Sequence, residues 1–393
     1  MLNGQWTPLL RTATRRALSA VTTGLLAAAC TPDQATSPAA LGSAPSREST
    51  AKSAGVQAIE LFPLVQNSPG TVRGTATAIN EAGVVAGLRE VLLPDEDVFP
   101  DSSNLYLWHD GQFTFYPVRL QPISINKRLE IAGNTLLMPA PGGIPLYDFP
   151  TNRAVLWKNG VVTDLGTLGG ESSVATDMNE KGQIVGWSHL AGSAVTRAFI
   201  WEEGVMTDLG TLGGSSAMAW GLNNHGQVVG TSARGDGSTR AFLWEKGAMT
   251  DLGVLDGGVS SSAAAINDHG DVVGLSSTSD LGCSPIPYIW HRGAMTAISL
   301  PGKSCVSGQF TVRDISDAGH VIGGFTKFED DPLGPPVFWR PWIWRDGVAL
   351  DLPGAPGDAG VFRVNSSGET VGYAVFINTF GPAVLWSVGR KGP

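Results

Sequence analysis

Short runs of apolar residues alternate with turn residues along almost the whole chain. In one unit these runs cover residues 219–222, 227–230, 241–244 and 248–252, and Gly, Asn or charged residues bound them. Val, Ile, Phe and Trp are common in the runs, as they are in strands. Beyond the N-terminus no segment has the periodicity of a helix. The pattern predicts units of four short β-strands.

Two markers repeat seven times in the same order. The first is a polar anchor followed seven residues later by glycine, and the second is a tryptophan followed three residues later by glycine. The anchors are Asn80, Asn126, Asn179, Asn223, Asn267, Ser316 and Asn365, and the tryptophans are Trp108, Trp157, Trp201, Trp244, Trp290, Trp344 and Trp386. Six units also carry Gly three residues after the anchor, and Leu129 is the exception. Asn followed three residues later by Gly favours a tight hairpin because both residues tolerate left-handed backbone, and Trp followed three residues later by Gly favours the next hairpin.

Seven four-stranded units predict an all-β fold, a seven-bladed β-propeller of four-stranded antiparallel blades. The units are 71–120, 121–168, 169–212, 213–255, 256–300, 301–352 and 353–388. The last unit lacks a fourth strand, and residues 56–64 resemble that strand. We therefore expect an N-terminal strand to close the ring, which makes 56–388 one domain without an open sheet edge.

The N-terminus predicts export. Residues 1–29 contain three arginines, no acidic residue and an apolar run at 17–29 that is too short to span a membrane. Residues 26–30 resemble a bacterial lipoprotein signal, with Ala27 where Leu is usual, which implies lipidation of Cys30. Arg15 and Arg16 also resemble a twin-arginine signal, and an incidental cysteine is the alternative reading of Cys30. Residues 30–55, rich in Ser, Ala, Thr and Pro, predict a flexible tether.

The net charge of the chain limits the classes of molecule that it could bind. The chain has 26 Lys plus Arg and 35 Asp plus Glu, and without the three arginines of the signal 23 remain against 35, a net charge of −12. An acidic surface argues against nucleic acid and against anionic membranes, which need clustered basic charge. We expect a monomer that contacts the membrane only through its lipid, at the outer membrane, in the periplasm or at the cell surface.

The other two cysteines, Cys283 and Cys305, flank the last hairpin of the fifth unit. They predict a disulfide in an oxidising compartment, and two free thiols are the alternative.

Long loops between the second and third strands lie on the rim opposite the tight turns, where binding residues concentrate. Two of these loops are acidic and could hold Ca²⁺, although exposed solvated charge is the favoured reading. Their acidic residues are Asp95, Glu96, Asp97, Asp101, Glu329, Asp330 and Asp331. Otherwise no cofactor and no metal site is predicted.

The repeated Asn, Trp and Asp residues predict structural roles, because a residue found in most blades belongs to the blade. Those aspartates are Asp164, Asp208, Asp251 and Asp351. No catalytic residue is predicted, since the six histidines form no metal-ligand spacing and no nucleophile elbow occurs. The Gly-Thr-Leu-Gly-Gly segments at 166–170 and 210–214 predict blade connectors rather than phosphate loops.

Three motifs resemble the bacterial HAF extracellular repeat, which is named for a His-Ala-Phe triplet. They are Arg-Ala-Phe at 197–199 and 240–242, Thr-Asp-Leu-Gly at 207–210, and Ile-Asn at 266–267 followed by Gly270 and Gly274. The resemblance implies export and a propeller-like fold, and it brings no activity. Leu129, Ser316 and the triplet at 341–343 depart from the pattern.

The best prediction of function is an exported, lipid-anchored binding module that uses its long-loop rim, with a glycan, a peptide or a protein as partner. Residues such as Phe99, Tyr147 and Asp330 would then bind the ligand. An enzyme acting on extracellular polymer, a lyase or a glycosidase, is the alternative, and a structural envelope protein is the third possibility.

Overall fold

The structure, a computed structural model, describes residues 47–53, 56–61, 71–92, 102–135, 152–278, 285–300, 308–327, 338–352, 358–376 and 379–388. These residues form strands and turns arranged in seven antiparallel sheets. Each sheet packs against the next, and the seventh packs against the first. The seven-bladed β-propeller predicted from the repeats is confirmed. No helix long and apolar enough to cross a membrane occurs in the described part of the chain.

The strands of each blade follow one another in the chain, from an inner strand to an outer one. Two N-terminal strands, β1 (Arg47–Ser53) and β2 (Val56–Glu60), precede the blades. Blade one has β3 (Thr71–Ile79), β4 (Val85–Leu92), β5 (Ser102–His109) and β6 (Gln112–Tyr116). Blade two has β7 (Gln121–Ile125), β8 (Ile131–Thr135), β9 (Arg153–Lys158) and β10 (Val161–Asp164). Blade three has β11 (Gly169–Met178), β12 (Ile184–Leu190), β13 (Thr196–Glu202) and β14 (Val205–Asp208).

The remaining blades repeat this order. Blade four has β15 (Gly213–Leu222), β16 (Val228–Arg234), β17 (Thr239–Glu245) and β18 (Ala248–Asp251). Blade five has β19 (Gly258–Ile266), β20 (Val272–Thr278), β21 (Ile286–His291) and β22 (Ala294–Ala297). Blade six has β23 (Gly308–Ile315), β24 (Val321–Lys327), β25 (Phe338–Arg345) and β26 (Val348–Asp351). Blade seven has β27 (Asp358–Val364), β28 (Thr370–Phe376) and β29 (Thr379–Val388).

The first strand of every blade lies at the centre of the ring. Each of these strands, from β3 round to β27, contacts the first strand of the next blade, and β27 contacts β3. The space that they enclose is the central channel.

Blade seven is completed by the N-terminal strand. β2 pairs antiparallel with β29, from Val56 opposite Val388 to Glu60 opposite Val384. Val56, Ala58 and Leu61 are buried beneath it, so the pairing brings apolar surface as well as backbone hydrogen bonds. The ring is therefore closed by joining its two ends in one sheet.

One further strand extends blade seven. The sequence predicts a tether over residues 30–55, whereas the structure places β1 within that segment, paired with β2. The outer edge of β2 would otherwise leave its backbone N–H and C=O groups without a strand partner, and β1 supplies one.

Each inner strand carries a β-bulge three residues before its anchor. In blade four Ala219 pairs with Gly230 and Gly221 pairs with Val229, so Trp220 is passed over. The same shift occurs in the other six blades. The glycine seven residues after the anchor lies at this bulge in every blade. A Cβ on Gly230 would stand 2.0 Å from the Met218 carbonyl oxygen, so only glycine fits there.

The hydrophobic core is divided among the blade interfaces. Between blades four and five, Val229 and Ala241 pack with Ile266, Val272 and Tyr288. Six equivalent clusters fill the other interfaces. Since each blade is buried only by its neighbours, a closed ring is the arrangement that covers every blade on both faces.

Candidate binding site at the mouth of the central channel

The seven anchors form a ring around one end of the channel, which we call the anchor ring. In blade four the Asn223 Oδ1 accepts the backbone N–H groups of His225 and Gln227, at 3.1 and 3.0 Å. Its Nδ2 donates to the Asn267 carbonyl of blade five at 3.0 Å. Asn80, Asn179, Asn267 and Asn365 make the same link to the next blade, with Asn365 joining blade seven to blade one. The anchors thus shape the tight turns and connect the blades.

The residue after each anchor forms a second ring, the rim ring. Its members are Glu81, Lys127, Glu180, Asn224, Asp268, Asp317 and Ser366. In five of the seven neighbouring pairs, a side-chain oxygen of one member accepts the backbone N–H of the preceding member. These contacts are Lys127 to Glu180 at 3.0 Å, Glu180 to Asn224 at 2.8 Å, Asn224 to Asp268 at 2.8 Å, Asp268 to Asp317 at 2.8 Å, and Ser366 to Glu81 at 3.1 Å. The backbone therefore holds the rim carboxylates in place before any ligand arrives. Lys127 has no acceptor, so it cannot make this contact with blade one.

Six members of each ring line an open cavity of about 190 Å³ at the channel mouth, and Asn365 and Ser366 of blade seven are not part of the lining. A water molecule occupies about 30 Å³ of liquid, so the cavity has room for a small organic group. Its charged lining comprises six carboxylates and two cations, which leaves a formal charge of −4. The carboxylates are Glu81, Asp177, Glu180, Asp268, Asp314 and Asp317, and the cations are Lys127 and Arg363.

A cluster of three charged residues, the floor bridge, lies at the inner end of this cavity. Arg363 of blade seven reaches across the channel, and its Nη2 lies 2.8 Å from the Thr176 carbonyl and 3.1 Å from Asp177 Oδ1, both in blade three. Its Nη1 lies 3.6 Å from Asp314 Oδ1 in blade six. The other carboxylate oxygens accept backbone N–H groups, Asp177 from Leu222 and Asp314 from Val364, each at 3.0 Å. The floor bridge thereby connects blades that are not neighbours.

Burial is the main influence on the ionisation of this bridge. It raises the pKa of Asp314 to about 6, with Arg363 and the Val364 N–H opposing the rise and the Asp177 carboxylate adding to it. Burial acts to lower the pKa of Arg363, but Asp177 and Asp314 outweigh it and the net shift is upward. The arginine is thus held charged between the two carboxylates.

All of the predicted ligand residues lie outside the described residues. These are Phe99, Tyr147, Asp95, Glu96, Asp97, Asp101, Glu329, Asp330 and Asp331 of the long loops. Cys30, Cys283 and Cys305 also lie outside them. Lipidation, the disulfide and the long-loop rim therefore remain predictions.

The repeated residues within the described ranges have structural contacts. Asp164, Asp208 and Asp251 each accept the backbone N–H of the glycine two residues later at 2.8 Å. Trp108, Trp157, Trp201 and Trp386 are buried, and Trp244, Trp290 and Trp344 are partly buried. The Gly-Thr-Leu-Gly-Gly segments join β10 to β11 and β14 to β15, as connectors between blades.

The sequence analysis did not identify the floor bridge, because charged residues do not recur at this position in every blade. Asp177, Asp314 and Arg363 all stand two residues before an anchor, where the other blades have Ala78, Ser124, Gly221 and Ala265. Charged residues at an otherwise small position are the signal that an alignment of the seven units could have given.

Two polar side chains also meet between the tight turns of several blades. One stands four residues after the anchor, and the other directly follows the tryptophan. The pair is Glu130 with Lys158 in blade two, Asp271 with His291 in blade five and His320 with Arg345 in blade six. Since its chemistry changes from blade to blade, the pair joins the two turns rather than forming a catalytic dyad. Across the described residues no three His, Cys, Asp or Glu side chains gather in a way that could hold a metal ion.

Comparisons with solved structures agree with the β-propeller class and are informative at the level of the fold. The β-propeller domain of the Trilobed protease from Pyrococcus furiosus, described as having an open velcro topology, is similar at a TM-score of 0.54 and 12% identity, over 80% of this chain and 93% of that one. The acylaminoacyl peptidase of Pyrococcus horikoshii is similar at a TM-score of 0.51 and 11% identity, over 82% of this chain. This chain covers 57% of that peptidase. No protein-family model and no curated protein matches the chain.

Proposed function

We propose that this protein is an exported, lipid-anchored binding module whose channel mouth takes a small ligand with a cationic group, a primary ammonium or a guanidinium. The observation that carries the proposal is the preorganised cavity, with six carboxylates against two cations. Neighbouring backbone N–H groups already orient the rim carboxylates, so a ligand need not order them. An ammonium or guanidinium matches the charge and can donate several hydrogen bonds at once. Such a group would end a peptide, a basic side chain or an amino sugar.

The channel mouth adds to the long-loop rim as a second candidate surface. It lies at the tight turns, and the sequence predicts the long loops on the opposite rim. The two surfaces are compatible, because a propeller presents two faces.

The test compares two probes of the same shape, n-butylammonium and n-butanol. Chemical shifts of the backbone amides are followed while each probe is added, since a probe of this size binds weakly. We expect n-butylammonium to shift the amides of the rim ring and n-butanol to leave them unchanged. Equal shifts with both probes would contradict the proposal.

A pair of charge-removing variants locates the site. In Glu180→Gln combined with Asp317→Asn, the side chains still accept the N–H groups of Lys127 and Asp268, so the rim ring persists without two charges. We expect n-butylammonium to bind at least about tenfold more weakly, the effect of losing about 1.4 kcal/mol. Glu203→Gln with Asp236→Asn removes the same charge from exposed positions outside the cavity and is the control.

Membrane attachment is proposed from the signal that ends at Cys30. Metabolic labelling with a palmitate analogue tests it. Label that is present in the exported protein and lost in Cys30→Ser supports the anchor, and label that persists in the variant refutes it.

A further inference from the structure

The floor bridge carries more negative than positive charge. Asp177 and Asp314 share the single guanidinium of Arg363, and all three side chains are at most 16% exposed. When both carboxylates are ionised, the bridge retains one negative charge that water screens poorly. A cation that reaches the cavity floor would neutralise that charge, and so would a proton.

Asp314 is the bridge residue that we expect to take up a proton. Asp314 is the bridge carboxylate whose pKa burial raises, to about 6. Its Oδ2 is held by the Val364 N–H at 3.0 Å, whereas its Oδ1 lies 3.6 Å from Arg363, a weaker contact than the one between Arg363 and Asp177. Protonation of Asp314 would therefore leave Arg363 paired with Asp177 and remove the surplus charge.

The charged groups around the bridge are known for each neighbouring element. Asp177 and Glu180 belong to β11 and its turn, Arg313 and Asp317 to β23 and its turn, and Arg363 to β27. Glu81, Lys127 and Asp268 come from the turns of blades one, two and five. His320 of blade six lies against Gly368 of blade seven, and burial lowers its pKa. His320 is a second titratable group close to the bridge, so it needs its own control.

We propose that the floor bridge makes the channel mouth a proton-regulated site, in which a proton on Asp314 and a cationic ligand exclude one another. This inference rests on the proposed function. At neutral or alkaline pH the bridge keeps its negative charge and favours binding of the cationic ligand. In mild acid a proton on Asp314 neutralises that charge, and the ligand is released. By linkage, ligand binding then expels a proton.

The first test follows the Val364 amide of the unliganded protein against pH by NMR. The Val364 N–H donates to Asp314, so its chemical shift should titrate with a midpoint of about 6. The titration should persist in His320→Gln and vanish in Asp314→Asn. A midpoint close to that of an ordinary aspartate would overturn the inference, and this test requires no ligand.

The second test measures n-butylammonium binding at about pH 5 and about pH 7.5, since an alkylammonium stays charged at both. We expect about tenfold weaker binding at the lower pH, because only about one molecule in ten then has an ionised Asp314. Equal binding at both pH values would overturn the proton regulation and leave the proposed function standing. A Val364 titration without any n-butylammonium binding would refute the proposed function, and the regulation of that site with it.

Discussion

Glycine at the inner-strand bulge is the residue on which each blade depends most directly. The seven glycines that follow the anchors by seven residues all lie opposite a bulge, and in six blades a Cβ would come within 2.0 Å of a carbonyl oxygen of the inner strand. Only Gly133, at 2.5 Å, has slightly more room. The sequence identified these glycines by their spacing and placed Gly230 in the second strand, and the structure adds that they let two strands approach.

Gly230→Ala should therefore destabilise the protein strongly. The added Cβ would lie 2.0 Å from the Met218 carbonyl and 2.9 Å from the Phe242 ring, so the blade must distort. We expect a loss of about 3 kcal/mol or more in the free energy of unfolding, measured by chemical denaturation. Gly235→Ala is the control, since its nearest neighbour would be at 3.5 Å and its backbone is not left-handed. Similar losses in both variants would contradict this account.

At the scale of the element, the hairpin between the first two strands of a blade keeps the same turn geometry although some of its residues differ. Asn80 accepts the N–H groups of Ala82 and Val84, and Gly83 has a φ of +78°. In blade six Ser316 Oγ accepts the His320 N–H in place of an asparagine. In blade two Leu129 adopts the left-handed φ of +60° that glycine adopts elsewhere. The fold therefore imposes the turn even where the preferred residue is missing.

Leu129→Gly should stabilise the protein. A left-handed conformation destabilises a residue with a Cβ by about 1–2 kcal/mol, and glycine removes this strain. Glycine also loses more backbone entropy on folding, which offsets about 0.5–1 kcal/mol of the gain. Leu129 is 40% exposed, so little burial is lost. We expect a gain of about 0.5–1 kcal/mol by thermal or chemical unfolding. Leu129→Ala removes the side chain without relieving the backbone and should show no such gain; a gain in both would contradict the explanation.

At the scale of the whole molecule, stability depends on ring closure. β2 supplies the outer strand against β29, Leu61 donates its N–H to the Ala383 carbonyl at 2.8 Å, and Asn365 reaches the Asn80 carbonyl. The floor bridge adds a connection across the channel from blade seven to blade three. Blade seven is thus held by its own partner strand, by blade one and by the far side of the ring.

Deletion of residues 1–61 should open the ring. It removes the buried Val56, Ala58 and Leu61 and leaves the β29 edge without a partner. Burial of a Val or Leu side chain contributes about 1.5–3 kcal/mol, so we expect a loss of at least about 3 kcal/mol and concentration-dependent self-association through β29. Deletion of residues 1–53 keeps β2 and is the control. Calorimetry and size-exclusion chromatography measure both effects, and equal stability of the two truncations would count against closure by β2.

The architecture could be predicted from the sequence because repetition displays it seven times. The spacing of Asn80, Gly83, Gly87, Trp108 and their counterparts specifies turns and strands locally, and seven units that each need a neighbour on both faces define a ring. The missing last strand and its copy near residue 56 then predicted the closure. These features are local in the chain, so pattern and turn chemistry determine them.

The channel mouth was decided by the tertiary structure alone. Asp177, Asp314 and Arg363 lie far apart in the chain and occupy a position that holds a small residue in the other four blades, so their meeting depends on the curvature of the ring. In the sequence the rim residues resemble ordinary turn residues. Only the closed ring brings the backbone N–H of the neighbouring turn within hydrogen-bond distance of their side chains. The raised pKa of Asp314 likewise follows from burial, which no spacing records. The sequence determined which blades form, and packing them around one axis created the charge and the cavity.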